Sequence, residues 1–126
     1  MYSDRGGMKR VALFIVLNQT DYLEDILAKF VHLGVGGATI IDSQGMASAI
    51  VHGGIQSISL FGSLKSIIEG TSPYNKTIFT VINDEALLKA TMDEIKLMLR
   101  RVNKPAAGFM FTVPVGDIVT LGVSKE

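Results

Sequence analysis

The chain reads as an α+β protein with a ferredoxin-like βαββαβ plan, an extra short C-terminal strand, and a single domain of 126 residues. Three observations lead there. Apolar segments alternate between strand period and helix period in the order strand-helix-strand, then strand-helix-strand. Cysteine is absent, so neither a disulfide framework nor thiol chemistry supports the fold. Apolar residues make up 48% of the chain and charged residues only 19%, an excess that points to apolar surface buried between subunits.

Residues 1–7 are polar and read as a flexible leader, with the domain over 8–126. Residues 9–17 are β-branched and aliphatic on both faces, as a central strand is. Asn18 to Asp21 offers cap residues, and Glu24 three places after Asp21 predicts a capping box. Leu23, Ile26, Leu27, Phe30 and Val31 then share one helical face, and Gly34 closes the helix. A second strand is expected over 37–44, centred on Thr39, Ile40 and Ile41.

The next strand spans 76–82, with Ile78, Thr80 and Ile82 on one face and Thr77, Phe79 and Val81 on the other. Asn83, Asp84 and Glu85 place caps and negative charge at the start of the helix that follows. Leu88, Met92, Ile95, Leu99 and Val102 form its apolar stripe. Phe109, Phe111 and Val113 alternate with Met110, Thr112 and Pro114, predicting a strand with one well-buried face that ends at Pro114 or lies at an edge. Gly116 and Asp117 supply turn chemistry, and residues 118–121 are expected to form the extra strand.

Between the two halves lies a connection over 45–73, longer than compact domains carry without a purpose. Ile55, Ile58, Phe61, Leu64 and Ile68 recur in it near helical spacing, after a glycine-hinged stretch. They suit a helix that docks a partner protein in the helix-in-groove manner, or one that patches the core or a subunit interface; both readings stay open.

Function classes narrow by elimination. Twelve basic and twelve acidic residues balance, so no broad nucleic-acid surface is expected. No apolar run is long enough for a membrane helix, and no secretory pattern opens the chain. His32 reads as a surface residue; His52 is the better functional candidate, yet one histidine without clustered carboxylates makes no metal site. No spacing pairs a nucleophile with its base, so an enzyme is the weaker reading and no cofactor is expected.

The order of these pieces resembles the PII signalling proteins of nitrogen regulation, small trimeric cytoplasmic regulators. Gly34, Gly36, Gly37 and Thr39 to Ile41 are similar to that family's glycine-rich entry into its second strand. Gly45 falls where its partner-binding T-loop begins; Val81 to Asp84 matches the end of its third strand; residues 108–122 match its C-terminal strand pair. The resemblance covers roughly residues 8–123. It implies a homotrimer with a small-molecule effector, an adenine nucleotide among the candidates, in clefts between subunits, and a target protein met through the 45–73 loop. The ligand-binding positions it suggests are Thr39, Ser43, Gln44, Gly45, Lys76, Ala107, Gly108 and Phe109. Departures matter too: Phe109 stands for a phosphate-binding lysine, Thr120 and Gly122 for two arginines, and Ala106 and Ala107 for a glycine and an acidic residue. Without those cations the expected ligand carries less charge than ATP, or binds in an altered pose. The alternative is an oligomeric interaction module with no small ligand.

Overall fold

The structure, a computed structural model, describes residues 10–46, 74–102 and 107–122. Four strands form one antiparallel sheet: β1 (Val11–Leu17), β2 (Thr39–Ser43), β3 (Asn75–Ile82) and β4 (Gly108–Pro114), in the spatial order β2-β3-β1-β4. Two helices, α1 (Leu23–Leu33) and α2 (Glu85–Leu99), complete the βαββαβ order. The two strands richest in β-branched and aliphatic residues, β1 and β3, occupy the centre, where both neighbours complete their ladders.

Register assigns every strand residue to a face, because residues directly opposite each other share one. Leu13 faces Thr80 and Thr112, while Ile15 faces Ile78 and Met110. This face meets the helices. Leu13, Ile15, Leu17, Ile78 and Ile82 join Ile26 and Phe30 of α1, Val35, and Ile95 of α2 in one core. Each fully buried side chain of that size contributes about 1.5–3 kcal/mol, which makes this layer the main source of stability. Two threonines inside it are satisfied locally. The Thr91 hydroxyl donates to the Leu87 carbonyl at 2.7 Å, and that of Thr80 donates to the Gly37 carbonyl.

Helix ends follow the sequence at two of four places, the start of α2 and the end of α1, while α2 stops before the Val102 of its expected stripe. The Asp84 carboxylate accepts from the Ala86 and Leu87 amides at 2.9 and 3.2 Å, as a cap does. Gly34 adopts φ +93°, and the Val35 amide donates back to the Phe30 carbonyl at 2.9 Å, closing α1 in a Schellman-type turn. Leu99 is the last residue of α2, and Val102 lies beyond its cap. The start of α1 departs from expectation. A 3-10 turn over Thr20–Tyr22 intervenes, with the Tyr22 amide donating to the Gln19 carbonyl at 3.1 Å. That turn moves the cap to Tyr22, which makes no side-chain capping bond, so the Asp21–Glu24 capping box does not form.

Three further expectations are corrected. Val31 is 78% exposed, because the stripe that meets the sheet is carried by Leu23, Ile26, Leu27 and Phe30. Residues 118–121 make no strand: Val115 donates to the Arg10 carbonyl at 3.1 Å, and beyond it the chain pairs neither with the outer edge of β4 nor with another strand among the described residues. In β4, Met110 packs on the core, whereas the side bearing Phe109, Phe111 and Val113 is exposed. The strand ends at Pro114 on an edge of the sheet, as proline requires. The connection's stripe of Ile55, Ile58, Phe61, Leu64 and Ile68, and His52, lie outside the described residues.

Candidate functional site

Opposite the helices, the sheet carries a face that no described residue covers. Phe14 of β1 stands opposite Phe79 of β3 and Phe111 of β4, so three phenylalanines line up across three strands. Their rings stack with centroids 5.3 Å and 5.1 Å apart, and Phe109 adds a fourth ring 6.0 Å from Phe111. Such pairs contribute roughly 0.5–1.5 kcal/mol each beyond area burial. Ala12, Val81 and Val113 form the next row, and Val16, Phe109, Thr77 and Ile41 the row on the other side. No charged residue occupies a ladder position on this face. Phe109 is 60% and Phe111 43% exposed, so a large apolar surface faces outward in the single chain.

At one end of that face the apolar rows give way to polar groups. β1 ends at Leu17, β2 ends at Ser43, β3 begins at Asn75 and β4 begins at Gly108, all on the same rim. Ser43 and Thr77 hydroxyls lie 2.8 Å apart. The Ser43 hydroxyl also donates to the Asn75 side-chain carbonyl, and the Asn75 amide donates to the Asn18 side-chain carbonyl at 3.2 Å. The result is a hydrogen-bonded relay Thr77–Ser43–Asn75–Asn18 along the rim, built only from hydroxyls and amides.

The backbone before β4 is tied to the same rim. The Ala107 carbonyl accepts from the Asn18 amide at 2.8 Å and the Gln19 amide at 3.1 Å. Gly108 is required there by space: a Cβ built on it would lie 2.5 Å from the Val16 carbonyl oxygen and 3.3 Å from the Leu17 Cα. Only a residue without a side chain lets β4 enter the sheet at that height.

Set against this rim, the sequence-expected ligand positions separate into groups. Ser43, Ala107 and Gly108 come together on it, with Gln44 and Gly45 directly following β2 and Gly45 close to Asn75. Phe109 lies on the apolar face one row inward, opposite Val16. Thr39 sits at the far end of β2, in the phenylalanine row opposite Phe79. Lys76 is on the rim but points to the helix side, where its ammonium is held by the Asp42 carboxylate. Asn18, Asn75 and Thr77 escaped the sequence reading. Short polar residues do end or begin three apolar strands at one level, but Asn18 by itself suits a helix cap equally well. Among the described residues no group of three or more histidines and carboxylates is placed to hold a metal ion. No helix among them is long and apolar enough to cross a membrane.

Chemically the rim can donate and accept hydrogen bonds, and the exposed Phe109 and Phe111 rings can stack on a planar group. Among the described residues it pairs no nucleophile with a base.

No protein-family model matches the chain, and no curated protein matches it in sequence. Solved structures do match in fold. One is a PII protein of Arabidopsis thaliana bound to citrate, with a TM-score of 0.61 over 94% of this chain and 89% of that one. The two are 15% identical. At that identity the likeness establishes the fold, a ferredoxin-like sandwich of the PII type, and the fold alone.

Proposed function

We propose that this chain is a regulatory subunit of PII type. It assembles as a homotrimer through the helix-free face of its sheet, takes a small ligand of low charge at the clefts between subunits, and signals to a target protein through residues 45–73. The observation that carries this reading is the uncharged aromatic face: a row of stacked phenylalanines open to water is unfavourable in a lone chain and suited to burial against further copies. A nucleic acid would stack on such rings too, but it demands cations for its phosphates, and no ladder position on this face carries one.

The polar rim beside that face is the proposed ligand site, with Ser43, Asn75, Thr77 and Asn18 supplying hydrogen bonds and Phe109 a stacking surface. Lys76 is engaged by Asp42, in agreement with a ligand that does not rely on a polyphosphate clamp. A thermal-shift titration with adenosine, AMP, ADP, ATP, cyclic AMP, 2-oxoglutarate and citrate tests the reading. A ligand selective for the folded protein raises the melting temperature with its concentration. The expected result is a dose-dependent rise with adenosine or AMP at least equal to that with ATP, and none with citrate. Absence of a rise with every one of these ligands would remove the sensor reading and favour an interaction module without a small ligand.

A further inference from the structure

The polar rim has a direction. The Ser43 hydroxyl carries one proton, and both of its Asn75 partners accept: the side-chain carbonyl and, at 3.4 Å, the main-chain carbonyl. The Asn75 side-chain nitrogen turns the other way and donates to the Asn18 side-chain carbonyl at 3.2 Å. With the Ser43 proton committed, the proton in the 2.8 Å contact between Ser43 and Thr77 comes from Thr77. Donation therefore runs from Thr77 to Ser43, to Asn75, to Asn18. What the two hydroxyls have left for a further partner is lone pairs. Both are half-buried, where a mismatched polar group costs more than on open surface.

Register places this acceptor end beside an apolar floor. Ile41, Thr77, Val16 and Phe109 form one row across the four strands on the helix-free side. Val16 is half-buried and lies between Thr77 and Phe109, which stand two strand spacings apart, about 10 Å. The exposed Phe109 ring borders the floor on one side, and the Thr77 and Ser43 hydroxyls border it on the other. A planar group lying over Val16 stacks against the ring and turns an edge toward the hydroxyls.

Resting on the ligand reading above, we infer that this site selects a flat heteroaromatic amine, an aminopurine for example, by its exocyclic N–H. The Thr77 and Ser43 oxygens accept that N–H, and Asn75 is the positioning residue that keeps their own protons turned away from it. A keto oxygen, carboxylate or phosphate in the same place would face lone pairs. Isolated hydroxyls rotate to suit either kind of group, but turning the Thr77 proton outward breaks its bond to Ser43.

Calorimetric titration with adenosine, purine riboside and inosine tests the polarity, since they carry an amine, a plain hydrogen and a carbonyl at the same ring carbon. The wild-type protein should bind adenosine about fivefold more tightly than purine riboside, for one hydrogen bond gained, and about tenfold or more tightly than inosine, where acceptor meets acceptor. Thr77→Val should shrink the preference over inosine to about threefold or less. Ser43→Ala releases the Thr77 proton toward the ligand and should move the preference toward inosine, a change that a merely structural role for Ser43 does not produce. Both variants are compared at the native mass of the wild type, and the wild-type series decides alone where a variant does not fold. Inosine bound as tightly as adenosine, or a preference unchanged in both variants, would overturn the inference and leave the ligand site standing. Failure of all three nucleosides to bind would overturn it too, and the ligand reading falls with it only if the thermal-shift series is flat throughout.

Discussion

Replacing Gly108 by alanine tests whether the entry of β4 is as tight as its geometry requires. The new Cβ would start 2.5 Å from the Val16 carbonyl oxygen, whereas carbon–oxygen contacts settle near about 3.3 Å. The obstacle is main chain in a central strand paired on both sides, so the strain cannot be relieved by a side-chain rotation. Relief needs β4 to withdraw by about 0.8 Å at this row, the difference between those two separations. That movement loosens the two bonds from the Asn18 and Gln19 amides to the Ala107 carbonyl, worth about 0.5–1.5 kcal/mol each. Adding overpacking of about 1–3 kcal/mol gives an expected loss of about 2–6 kcal/mol, or roughly 10–20 °C in melting temperature. Urea unfolding at matched protein concentration is the assay, with Gly36→Ala as control because nothing lies within 4 Å of a Cβ there. A Gly108→Ala protein within about 0.5 kcal/mol of the wild type, the range of an ordinary surface change, would refute the reasoning.

Other consequences are more local. Ile78→Ala, in a fully buried position between β1 and the helices, should cost about 2–5 kcal/mol in urea unfolding, while Val31→Ala should stay within about 0.5 kcal/mol. Asp84→Ala removes the acceptor of two amides at the start of α2 and should cost about 1 kcal/mol by the same measurement. Asp42→Asn breaks an exposed ion pair and should change stability by less than about 1 kcal/mol; a larger loss would mean that Lys76 is held for more than surface electrostatics. Phe111→Asp should leave far-UV circular dichroism unchanged but lower the native mass, and a variant that keeps the wild-type mass would place the subunit contact elsewhere.

Much of the fold was legible because period and burial agree. In β3, Ile78, Thr80 and Ile82 face the helices and Thr77, Phe79 and Val81 face away, as alternation alone says. Gly34 and Asp84 act as the helix signals they resemble, since each satisfies backbone groups within one turn. What failed depends on neighbours that local pattern does not encode. Val31 fits the apolar stripe of α1 but falls where no sheet lies beneath it. Residues 118–121 have strand composition yet form no strand, although β4 just before them is an edge. Alternation in β4 showed two faces correctly, yet composition cannot say that the aromatic one faces away from the core.

The candidate site was legible in part. Ser43, Ala107 and Gly108 meet on one rim because β1, β2, β3 and β4 begin or end at that level, which the strand order expected from the sequence already implies. Lys76 illustrates the limit. One residue of register puts it on the helix side, next to Asp42, and a pattern of charge along the chain does not reveal that pairing.

The central claim is that the Phe79–Phe14–Phe111 face is buried between copies of this chain, and the mass of the native protein in solution tests it most directly. Light scattering coupled to size exclusion, across a hundredfold range of concentration, should return three times the 13.6 kDa chain mass throughout. A stable mass of 13.6 kDa would contradict the account, because the aromatic face would then be open to water and the clefts proposed to hold the ligand would not exist.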